Sequence, residues 1–533
     1  MTQPNDTTVQ RRLDASAEPV PLKRGPRVAA LVLACMGGAA VMVVELGVAR
    51  ILTPVFGGSI SVWAIVIATT MLALALGYAF GGWRADRVGG LVVARRAALL
   101  GALLCAAIPF LRLPLIRATV DLHTLLGAAI ASLALIAPAQ FFLSQVSPAL
   151  IRGLADRAVS HLGLTAGGIY AVSTVGSLAG TLGAVWVFLY APLSIGFLVT
   201  ALLLAAAAAL LAPRSAGAVA GLIVLATGFA LDAETRPVQA PNRDGDLCTL
   251  VTKRHSAYGV LRVIDEQPGY RYLIVNGTDQ GGIDLRTGDS AYGYDAALIE
   301  LGRQYAADFH NALIIGLGPG VMAQRLRDTG VDVDAVEIDG EVLKLAKAFF
   351  GYRGGAVIED GRRYLLRTSK RWDVIFVDAF LGANPPWQLY TVEAFRLYRQ
   401  RLAGDGAVIL NFIGSHLDPA QRPALEAVTA TARAVFAHVD VYPDPWEPDA
   451  YPTRNIYIVA SDHQRLKPRR SGDPTQAPTL SRALARSRPL ALTLRDARVL
   501  RDDAAPLAPL VRPTTEILRS RLREYLPLDV IVR

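Results

Sequence analysis

The chain has 533 residues, which is too long for one ordinary domain. Hydrophobic residues make up 52% of it, and the mean hydropathy of +0.36 is high for a soluble protein. Its three cysteines are far apart, which excludes a disulfide framework and a cysteine metal site. The net charge of +9 comes without a basic stripe interleaved with aromatics, so we expect contact with anionic lipid headgroups and no nucleic-acid partner.

The first half is predicted to be a multi-pass membrane domain. Residues 1–26 are polar and predict a cytoplasmic N-terminus without a cleavable signal peptide. Residues 27–232 predict a transmembrane domain of about six to eight helices, because a spanning helix needs about 20 apolar residues. The apolar runs are Val28–Val48, Ile60–Phe80, Ala97–Phe110, Leu125–Phe142, Ala166–Tyr190, Ile195–Leu211 and Ala216–Leu231.

Basic residues indicate the orientation of these helices. Arginines and lysines flank the first run on its N-terminal side and follow the second, fourth and sixth runs. Cytoplasmic loops are enriched in such residues. We therefore expect an inner-membrane protein with an even number of spans, which keeps the second half in the cytoplasm.

A small β region follows the membrane domain. Residues 233–246 are polar, contain prolines and read as a linker, and residues 247–290 then show a period of two. Tyr258–Asp265 and Arg271–Val275 predict a hairpin around Glu266–Gly269, and Asn276-Gly277 predicts another tight turn.

Residues 291–512 predict an α/β doubly wound domain, Rossmann-like and of the S-adenosylmethionine-methyltransferase type, before a C-terminal helix in 513–533. In Asn311 to Asp339 a buried strand runs into a glycine turn, a helix and a second strand. Gly316, Gly318 and Gly320 let the backbone approach a ligand closely. Glu337, at the end of the second strand, is placed to bind a ribose diol. Glycines at every second position are typical of S-adenosylmethionine-type sites rather than of dinucleotide sites.

Two more acids follow strands of the same predicted sheet. Asp360 follows the short strand 356–358, and Asp378 follows the strand Asp373–Val377. Later strands are predicted at 406–411, 439–442 and 455–459, all in one parallel sheet. Because ligands bind at the carboxyl ends of parallel strands, Glu337, Asp360 and Asp378 are expected to converge on one crevice.

These residues carry a resemblance to the spermidine synthase (polyamine aminopropyltransferase) family over about Leu247 to Pro506. IIGLGPG resembles its glycine turn, VEID and VIEDG resemble its two acidic elements, VIFVDAF resembles its catalytic strand, and Asp502 to Pro506 resemble its C-terminal element. Residues 37–87 resemble the membrane domain of the transmembrane spermidine synthase-like proteins.

The resemblance implies an aminopropyltransferase that uses decarboxylated S-adenosylmethionine as co-substrate, with no permanently bound cofactor and no metal, and it suggests a homodimer. It implies that Asp378 is the catalytic acid-base residue. The implied nucleoside-binding residues are Gly316, Gly318, Gly320, Glu337, Glu359, Asp360 and Pro385. The implied residues for the acceptor amine are Gln280, Tyr294 and, as a partial substitute for a missing acid, Asp295.

Some positions depart from the family pattern. Pro319 and Leu381 stand where the family has aspartates, and Tyr294-Asp295-Ala296 stands for its tyrosine-histidine-glutamate. Two alternatives therefore remain open. One is an S-adenosylmethionine-dependent methyltransferase acting on a small or lipid-borne acceptor. The other is a membrane transporter or sensor, not an enzyme, with a nucleoside- or polyamine-binding domain.

Overall fold

A computed structural model describes residues 24–155, 162–211, 213–235, 237–306, 309–380, 384–445, 453–466, 488–505 and 507–532. The chain divides into two compact units between Arg236 and Pro237. The first unit is helical, and the second contains both sheets of the protein's described residues.

Helices of the first unit follow the apolar runs but differ from them in length. They are α1 (Arg24–Phe56), α2 (Ile60–Val88), α3 (Gly90–Thr119), α4 (Thr124–Leu135), α5 (Ala137–Ser144), α6 (Val146–Ala155), α7 (Leu162–Tyr190), α8 (Leu193–Ala209) and α9 (Pro213–Thr235). The run Ala97–Phe110 lies inside the 30-residue helix α3, which continues through Pro109 and Pro114.

Among the described residues, four helices are long and apolar enough to cross a membrane by length and composition, where the sequence predicted about six to eight. They are Gly25–Phe56, Ile60–Val88, Gly90–Thr119 and Gly163–Leu189. The pair Thr124–Leu135 and Ala137–Ala155, bent by 43°, would make a fifth span if it crosses as one unit. The apolar helices Leu193–Ala209 and Ala216–Ala230 are shorter.

Small residues bring α1 and α7 into close contact. A Cβ atom on Gly176 would lie 2.0 Å from the carbonyl oxygen of Cys35, and one on Gly180 would lie 2.5 Å from Ala39 Cα. Ser177 Oγ donates a hydrogen bond of 3.2 Å to the Gly38 carbonyl. Glycines in apolar helices allow this backbone approach.

The second unit begins with an antiparallel sheet of five strands in the order β1-β2-β3-β4-β5. The strands are β1 (Gln239–Pro241), β2 (Leu247–His255), β3 (Val260–Glu266), β4 (Tyr270–Val275) and β5 (Thr278–Asp284). The predicted hairpin is confirmed as β3 and β4, and the tight turn at Asn276 (φ 50°) and Gly277 (φ 70°) joins β4 to β5. The predicted linker 233–246 is partly wrong, because α9 runs to Thr235 and β1 pairs with β2.

Seven strands form the main sheet in the order β11-β12-β10-β9-β6-β7-β8, with helices on both faces. The strands are β6 (Asn311–Ile315), β7 (Asp332–Glu337), β8 (Val357–Ile358), β9 (Trp372–Val377), β10 (Leu402–Gly414), β11 (His438–Pro443) and β12 (Arg454–Ser461). The helices of this unit are α10 (Tyr294–Tyr305), α11 (Val321–Asp328), α12 (Gly340–Phe349), α13 (Gly361–Arg367), α14 (Val392–Arg401), α15 (Arg422–Arg433), α16 (Leu507–Tyr525) and α17 (Leu528–Val532). This is the predicted Rossmann-like fold of the methyltransferase type.

One strand departs from the parallel arrangement that the sequence predicted. β12 pairs antiparallel with both β10 and β11. Parallel neighbours need a crossover of a dozen or more residues, and the chain between Pro443 and Arg454 is too short for one. The last strand therefore returns in the opposite direction, and the sheet is mixed.

Alternating side chains of β9 pack into two hydrophobic clusters, one on each face of the sheet. Val374 and Phe376 belong to the cluster with α10 and α11, and Ile375 and Val377 belong to the cluster with α14 and α15. A strand that is covered on both faces has no polar side, which explains the continuous apolar run. The clusters hold the carboxyl end of β9, and thus Asp378, in a rigid frame.

Candidate active site

A cavity of about 490 Å³ lies at the carboxyl ends of the central strands of the second unit. The ends of β6, β7, β9 and β10 form its floor, β4 and β5 form one wall, and α16 contributes Leu518 and Arg521. Clefts of this size and position are the usual ligand sites of open α/β sheets. We therefore take this cavity as the candidate active site.

The glycine turn after β6 forms part of the floor. Gly316 has a φ of 95°, and a Cβ atom on it would lie 2.1 Å from the Asp378 carbonyl oxygen. Gly316 and Gly318 line the cavity. Gly320 is not among the lining residues. It precedes α11 with a φ of 81°, and a Cβ atom on it would lie 2.8 Å from the ring of Tyr352, so its predicted contact with the nucleoside stays a prediction.

Glu337 supports this turn from the end of β7. Its Oε2 accepts a hydrogen bond of 2.9 Å from the amide of Leu317, and its Oε1 accepts one of 2.9 Å from the amide of Asp339. Burial raises the pKa of Glu337, and the two amides oppose that shift by stabilising the charged form. The carboxylate thus links the carboxyl ends of β6 and β7, and it lines the cavity.

Glu359 and Asp360 follow β8, and both line the cavity. Asp360 caps α13, since its Oδ1 accepts a hydrogen bond of 2.9 Å from the Arg363 amide. Glu359 is 2.7 Å from Arg367 Nη1 and 3.1 Å from Arg363 Nε. The structure therefore brings the three predicted strand-end acids, Glu337, Asp360 and Asp378, to one cavity.

Asp378 has a hydrogen-bond partner that the sequence analysis missed. β9 and β10 are parallel with Val377 opposite Leu410, so the next residues, Asp378 and Asn411, lie side by side. Asn411 Nδ2 donates a hydrogen bond of 2.9 Å to Asp378 Oδ1, and Asn411 is 3% exposed. Burial raises the pKa of Asp378 to about 6, the Asn411 hydrogen bond lowers it, and the Asp295 charge raises it. Asp378 is thus charged at neutral pH and able to accept a proton.

The residues predicted for the acceptor amine divide into two groups. Gln280 and Tyr294 line the cavity. Asp295 does not: it is 1% exposed and pairs with Arg325 Nη1 at 2.8 Å, behind the start of α10. Neighbouring residues in a helix point in different directions, so only one of Tyr294 and Asp295 reaches the cavity.

The proline predicted to cover the adenine, Pro385, precedes a second proline in the same loop. Pro386 lines the cavity, and Pro385 is not among the lining residues. Leu381, which replaces a family aspartate, lies outside the described residues.

A second unpredicted group in the cavity is Asp279 on β5. Its Oδ1 accepts a hydrogen bond of 2.7 Å from the Gly281 amide, and its Oδ2 accepts one from the Tyr292 hydroxyl. Burial raises the pKa of Asp279 to about 6. Adjacent residues of a strand normally face opposite sides, so the prediction for Gln280 gave no reason to expect Asp279 in the same cavity.

The C-terminal element Asp502 to Ala505 connects distant parts of the domain without being among the residues that line the cavity. Asp502 Oδ1 accepts hydrogen bonds of 2.7 Å from Arg362 Nη1 and from Thr391 Oγ1. Within the parts of the chain that the structure describes, no group of three or more His, Cys, Asp and Glu side chains is arranged to hold a metal ion.

The part of the chain that forms this cavity is similar in sequence to known proteins. The family model described as "Spermine/spermidine synthase domain" matches residues 292–463. A polyamine aminopropyltransferase of Thermoplasma acidophilum is 34% identical over 142 residues, which cover 25% of this chain and 50% of the relative. A probable polyamine aminopropyl transferase of Bifidobacterium longum is 30% identical over 149 residues, which cover 27% and 32%.

The sequence similarity covers only part of this chain and part of each curated relative. The chain spans about half the length, or less, of these curated relatives. An N-terminal histidine N-methyltransferase of Emericella nidulans is 35% identical over 111 residues, 20% of each chain. The crystal structure of a probable spermidine synthase from Corynebacterium glutamicum aligns with a TM-score of 0.39 and 22% identity over 47% of this chain and 96% of that one. Residues 292–463, which match the spermine/spermidine synthase family model, include Asp378 and Asn411.

Proposed function

We propose that the protein is a membrane-anchored polyamine aminopropyltransferase. It transfers the aminopropyl group of decarboxylated S-adenosylmethionine to an amine and releases methylthioadenosine. The observation that carries this proposal is Asp378, a carboxylate held by Asn411 beside the glycine turn in a cavity of about 490 Å³. The family domain and the curated relatives support it.

In this reaction the lone pair of the acceptor nitrogen attacks the aminopropyl carbon next to the positive sulfur. The carbon–sulfur bond breaks, its electron pair returns to sulfur, and neutral methylthioadenosine leaves. The acceptor amine is normally protonated, with a pKa of about 10.4 for a lysine-like group. Asp378 accepts the proton that the nitrogen loses and stabilises its positive charge.

The remaining lining residues have proposed roles that follow from their places. The backbone at Gly316 and Gly318 approaches the nucleoside, and Glu337 accepts hydrogen bonds from the ribose. Glu359 and Asp360 contact the adenine, and Pro386, in the loop after β9, packs against the adenine ring. Gln280 and Tyr294 shape the acceptor side. Holding the two reactants in contact supplies much of the rate enhancement.

The test uses the full-length protein in detergent micelles, incubated separately with decarboxylated S-adenosylmethionine and with S-adenosylmethionine and a panel of amines. We expect methylthioadenosine and an amine heavier by one aminopropyl group. In Asp378→Asn the rate should fall by a factor of about 10² to 10⁴, because the general base is lost. Binding of methylthioadenosine, measured by calorimetry, should persist and serves as the control for folding.

The second candidate is an S-adenosylmethionine-dependent methyltransferase, favoured by the partial match to the Emericella nidulans N-methyltransferase. S-adenosylhomocysteine and a methylated product would establish it in the same assay. A transporter or sensor would bind the nucleoside and form neither product, so turnover excludes it.

Membrane anchoring is part of the proposal and is supported by the four long apolar helices. We propose that they lie in the inner membrane, with the catalytic unit in the cytoplasm, where its co-substrate is expected. A homodimer is a further proposal. Carbonate extraction of membranes should leave the protein in the pellet, and release into the supernatant would contradict the anchor.

A further inference from the structure

The first helical unit holds a carboxyl group among its apolar helices, at Glu45 of α1. The Oε2 atom of Glu45 is buried and has no hydrogen-bond partner among the described residues. α1 is one of the four helices that are long and apolar enough to cross a membrane. Ionisable residues inside such helices are rare, because a charge without a partner is costly in an apolar medium, and they commonly mark a functional site. Glu45 takes no part in the proposed transfer reaction.

No arginine neutralises this carboxyl group in the part of the unit that the structure describes. Arg50 follows Glu45 by five positions on α1, which places the two side chains about 140° apart around the helix. Arg112 on α3 is largely buried but does not pair with Glu45 either. The carboxyl group therefore has no counter-charge on its own helix or on α3.

The other helices that pack against α1 add no counter-charge. α4, α5 and α8 carry no charged or titratable side chain, and α7 carries only the tyrosines Tyr170 and Tyr190. Arg152 on α6 pairs with Asp86 on α2 at 2.7 Å. The remaining titratable side chains of α2 and α3, none of which pairs with Glu45 among the described residues, are Tyr78, Arg84, Arg87, Arg95, Arg96, Cys105 and Arg117.

Two neutral polar side chains approach Glu45 from other helices. Gln140 on α5 is 0% exposed, and its Nε2 donates a hydrogen bond of 3.2 Å to the Val41 carbonyl. In an α-helix that carbonyl also accepts the amide four residues on, and a side chain leans towards the turn before it. The Gln140 amide therefore lies at the turn over which the Glu45 side chain leans. Thr70 on α2 is fully buried and lies beside the carboxyl group.

The polar atoms around Glu45 have acceptor capacity that the protein does not use. Gln140 Oε1 and Thr70 Oγ1 are buried and have no hydrogen-bond partner among the described residues. Gln140 is in the first turn of α5, directly after the bend of 43° that separates α4 from α5. Ser132, one turn before the bend, is also buried with an unpartnered Oγ. Breaks of this kind in apolar helices commonly lie at ion and substrate sites.

One proton is enough to satisfy two of these atoms. A buried carboxyl group without a counter-charge becomes neutral by protonation, because the charged form loses its hydration. The protonated group is a hydrogen-bond donor, and Gln140 Oε1 is a free acceptor beside it. A metal cation would instead need several oxygen ligands arranged around it.

We propose that Glu45 is a proton-binding site of the first unit, in which the protonated carboxyl group donates a hydrogen bond to Gln140 Oε1. Uptake and release of this proton give the unit a function besides anchoring. The inference rests on the proposed membrane location of the unit and is independent of the transfer reaction in the second unit.

The first test uses dicyclohexylcarbodiimide, an apolar reagent that adds to protonated carboxyl groups. The full-length protein in detergent micelles is treated at about pH 7, and the adduct is located by peptide mass. We expect an adduct at Glu45 that forms at least about tenfold faster than any at Asp86, which is exposed and paired with Arg152, since one pKa unit changes the protonated fraction tenfold. Glu45→Gln should lose this adduct, and the matched control Asp86→Asn should keep it.

The second test concerns the hydrogen bond to Gln140. Infrared spectroscopy should show a carboxylic-acid C=O band that is missing from Glu45→Gln. This band should move to higher frequency in Gln140→Leu, because a carboxylic acid without its hydrogen bond has a stronger C=O bond. Gln145→Leu is the matched control, since Gln145 is also fully buried but bonds to the Phe141 carbonyl of its own segment. A band that stays in place in Gln140→Leu would contradict the assigned partner.

An absence of the Glu45 adduct in the unmodified protein from pH 5 to 9 would overturn the inference. Adduct formation that sodium chloride suppresses and choline chloride does not would also overturn it, in favour of a sodium site. Peptide mass locates the adduct in the unmodified protein, so this result does not depend on the folding of any variant. Product formation in the transferase assay and carbonate extraction test the proposed function separately.

Discussion

Asn411 donates a hydrogen bond of 2.9 Å to Asp378, and the parallel register of β10 against β9 places the two residues side by side. The amide stabilises the charged carboxylate and so opposes the rise of the Asp378 pKa caused by burial. The acidity of the proposed base therefore depends on a residue 33 positions away in the chain.

Replacing Asn411 should shift the pH dependence of the reaction. Burial holds the pKa of Asp378 at about 6, and Asn411 lowers it, so Asn411→Leu should raise it above 6. The charged carboxylate is the active form, so kcat/KM falls as the pH is lowered and the carboxylate is protonated. In Asn411→Leu this acid limb of the profile should move to a higher pH, by about one unit or more. Rates measured from pH 5 to 9 check this. Asn411→Ser keeps a hydrogen-bond donor, so its pH profile should lie between those of the unmodified protein and Asn411→Leu. Superimposable profiles for all three proteins would contradict the role assigned to Asn411.

Asp378 should contribute less to the stability of the domain at neutral pH than in acid. Its pKa in the folded protein, about 6, lies above the ordinary value of 3.8, so the folded state holds the proton more tightly than the unfolded state. The stability from this group is full below pH 3.8 and is lost as the pH rises through 6. Asp378→Asn should therefore raise the free energy of unfolding at pH 8 by roughly 1–2 kcal/mol, allowing for partial solvation.

Thermal unfolding of the full-length protein checks this prediction. The apparent Tm of Asp378→Asn should exceed that of the unmodified protein at pH 8, and the difference should shrink towards pH 4.5. A constant difference across this range would show that the substitution acts through packing rather than through the carboxylate charge.

Gly316→Ala should disrupt the candidate site more than a glycine substitution in an open turn. A Cβ atom at Gly316 would lie 2.1 Å from the Asp378 carbonyl oxygen, so the ends of β6 and β9 would have to separate. Gly330 has a similar φ of 87°, but a Cβ atom there would have no other atom within 4 Å, so Gly330→Ala carries only the backbone strain of about 1–2 kcal/mol. We expect Gly316→Ala to lose methylthioadenosine binding by at least about tenfold, and Gly330→Ala to keep it. Equal affinities in calorimetry would refute the close approach.

The contact between α1 and α7 predicts a matched pair of substitutions in the first unit. Gly176→Leu would place a side chain against the Cys35 carbonyl, whereas Gly183, on the same helix, has nothing within 4 Å. Gly176→Leu should separate the helices and lower the apparent Tm by several degrees, and Gly183→Leu should leave it nearly unchanged. Thermal unfolding followed by circular dichroism in detergent measures both. Similar losses in the two variants would argue against this helix contact.

Local patterns in the sequence were sufficient for most elements of the second unit. The apolar period and the glycine turn predicted the succession of strands and helices along the chain. The acids after β7, β8 and β9 predicted the end of the sheet where a ligand binds. Each of these signals lies within a few residues of the chain, because turn chemistry and strand period are local properties.

Contacts between residues far apart in the chain decided the rest. The direction of β12, the neighbour of Asp378, the burial of Asp295 against Arg325 and the inward direction of Asp279 all depend on which strand or helix lies alongside. The same residue types in another register would have faced solvent or the core. The sequence by itself therefore determined the fold class and the end of the sheet that forms the site, and the tertiary structure alone determined which polar groups face one another across the cavity, because register and packing are set by the whole domain.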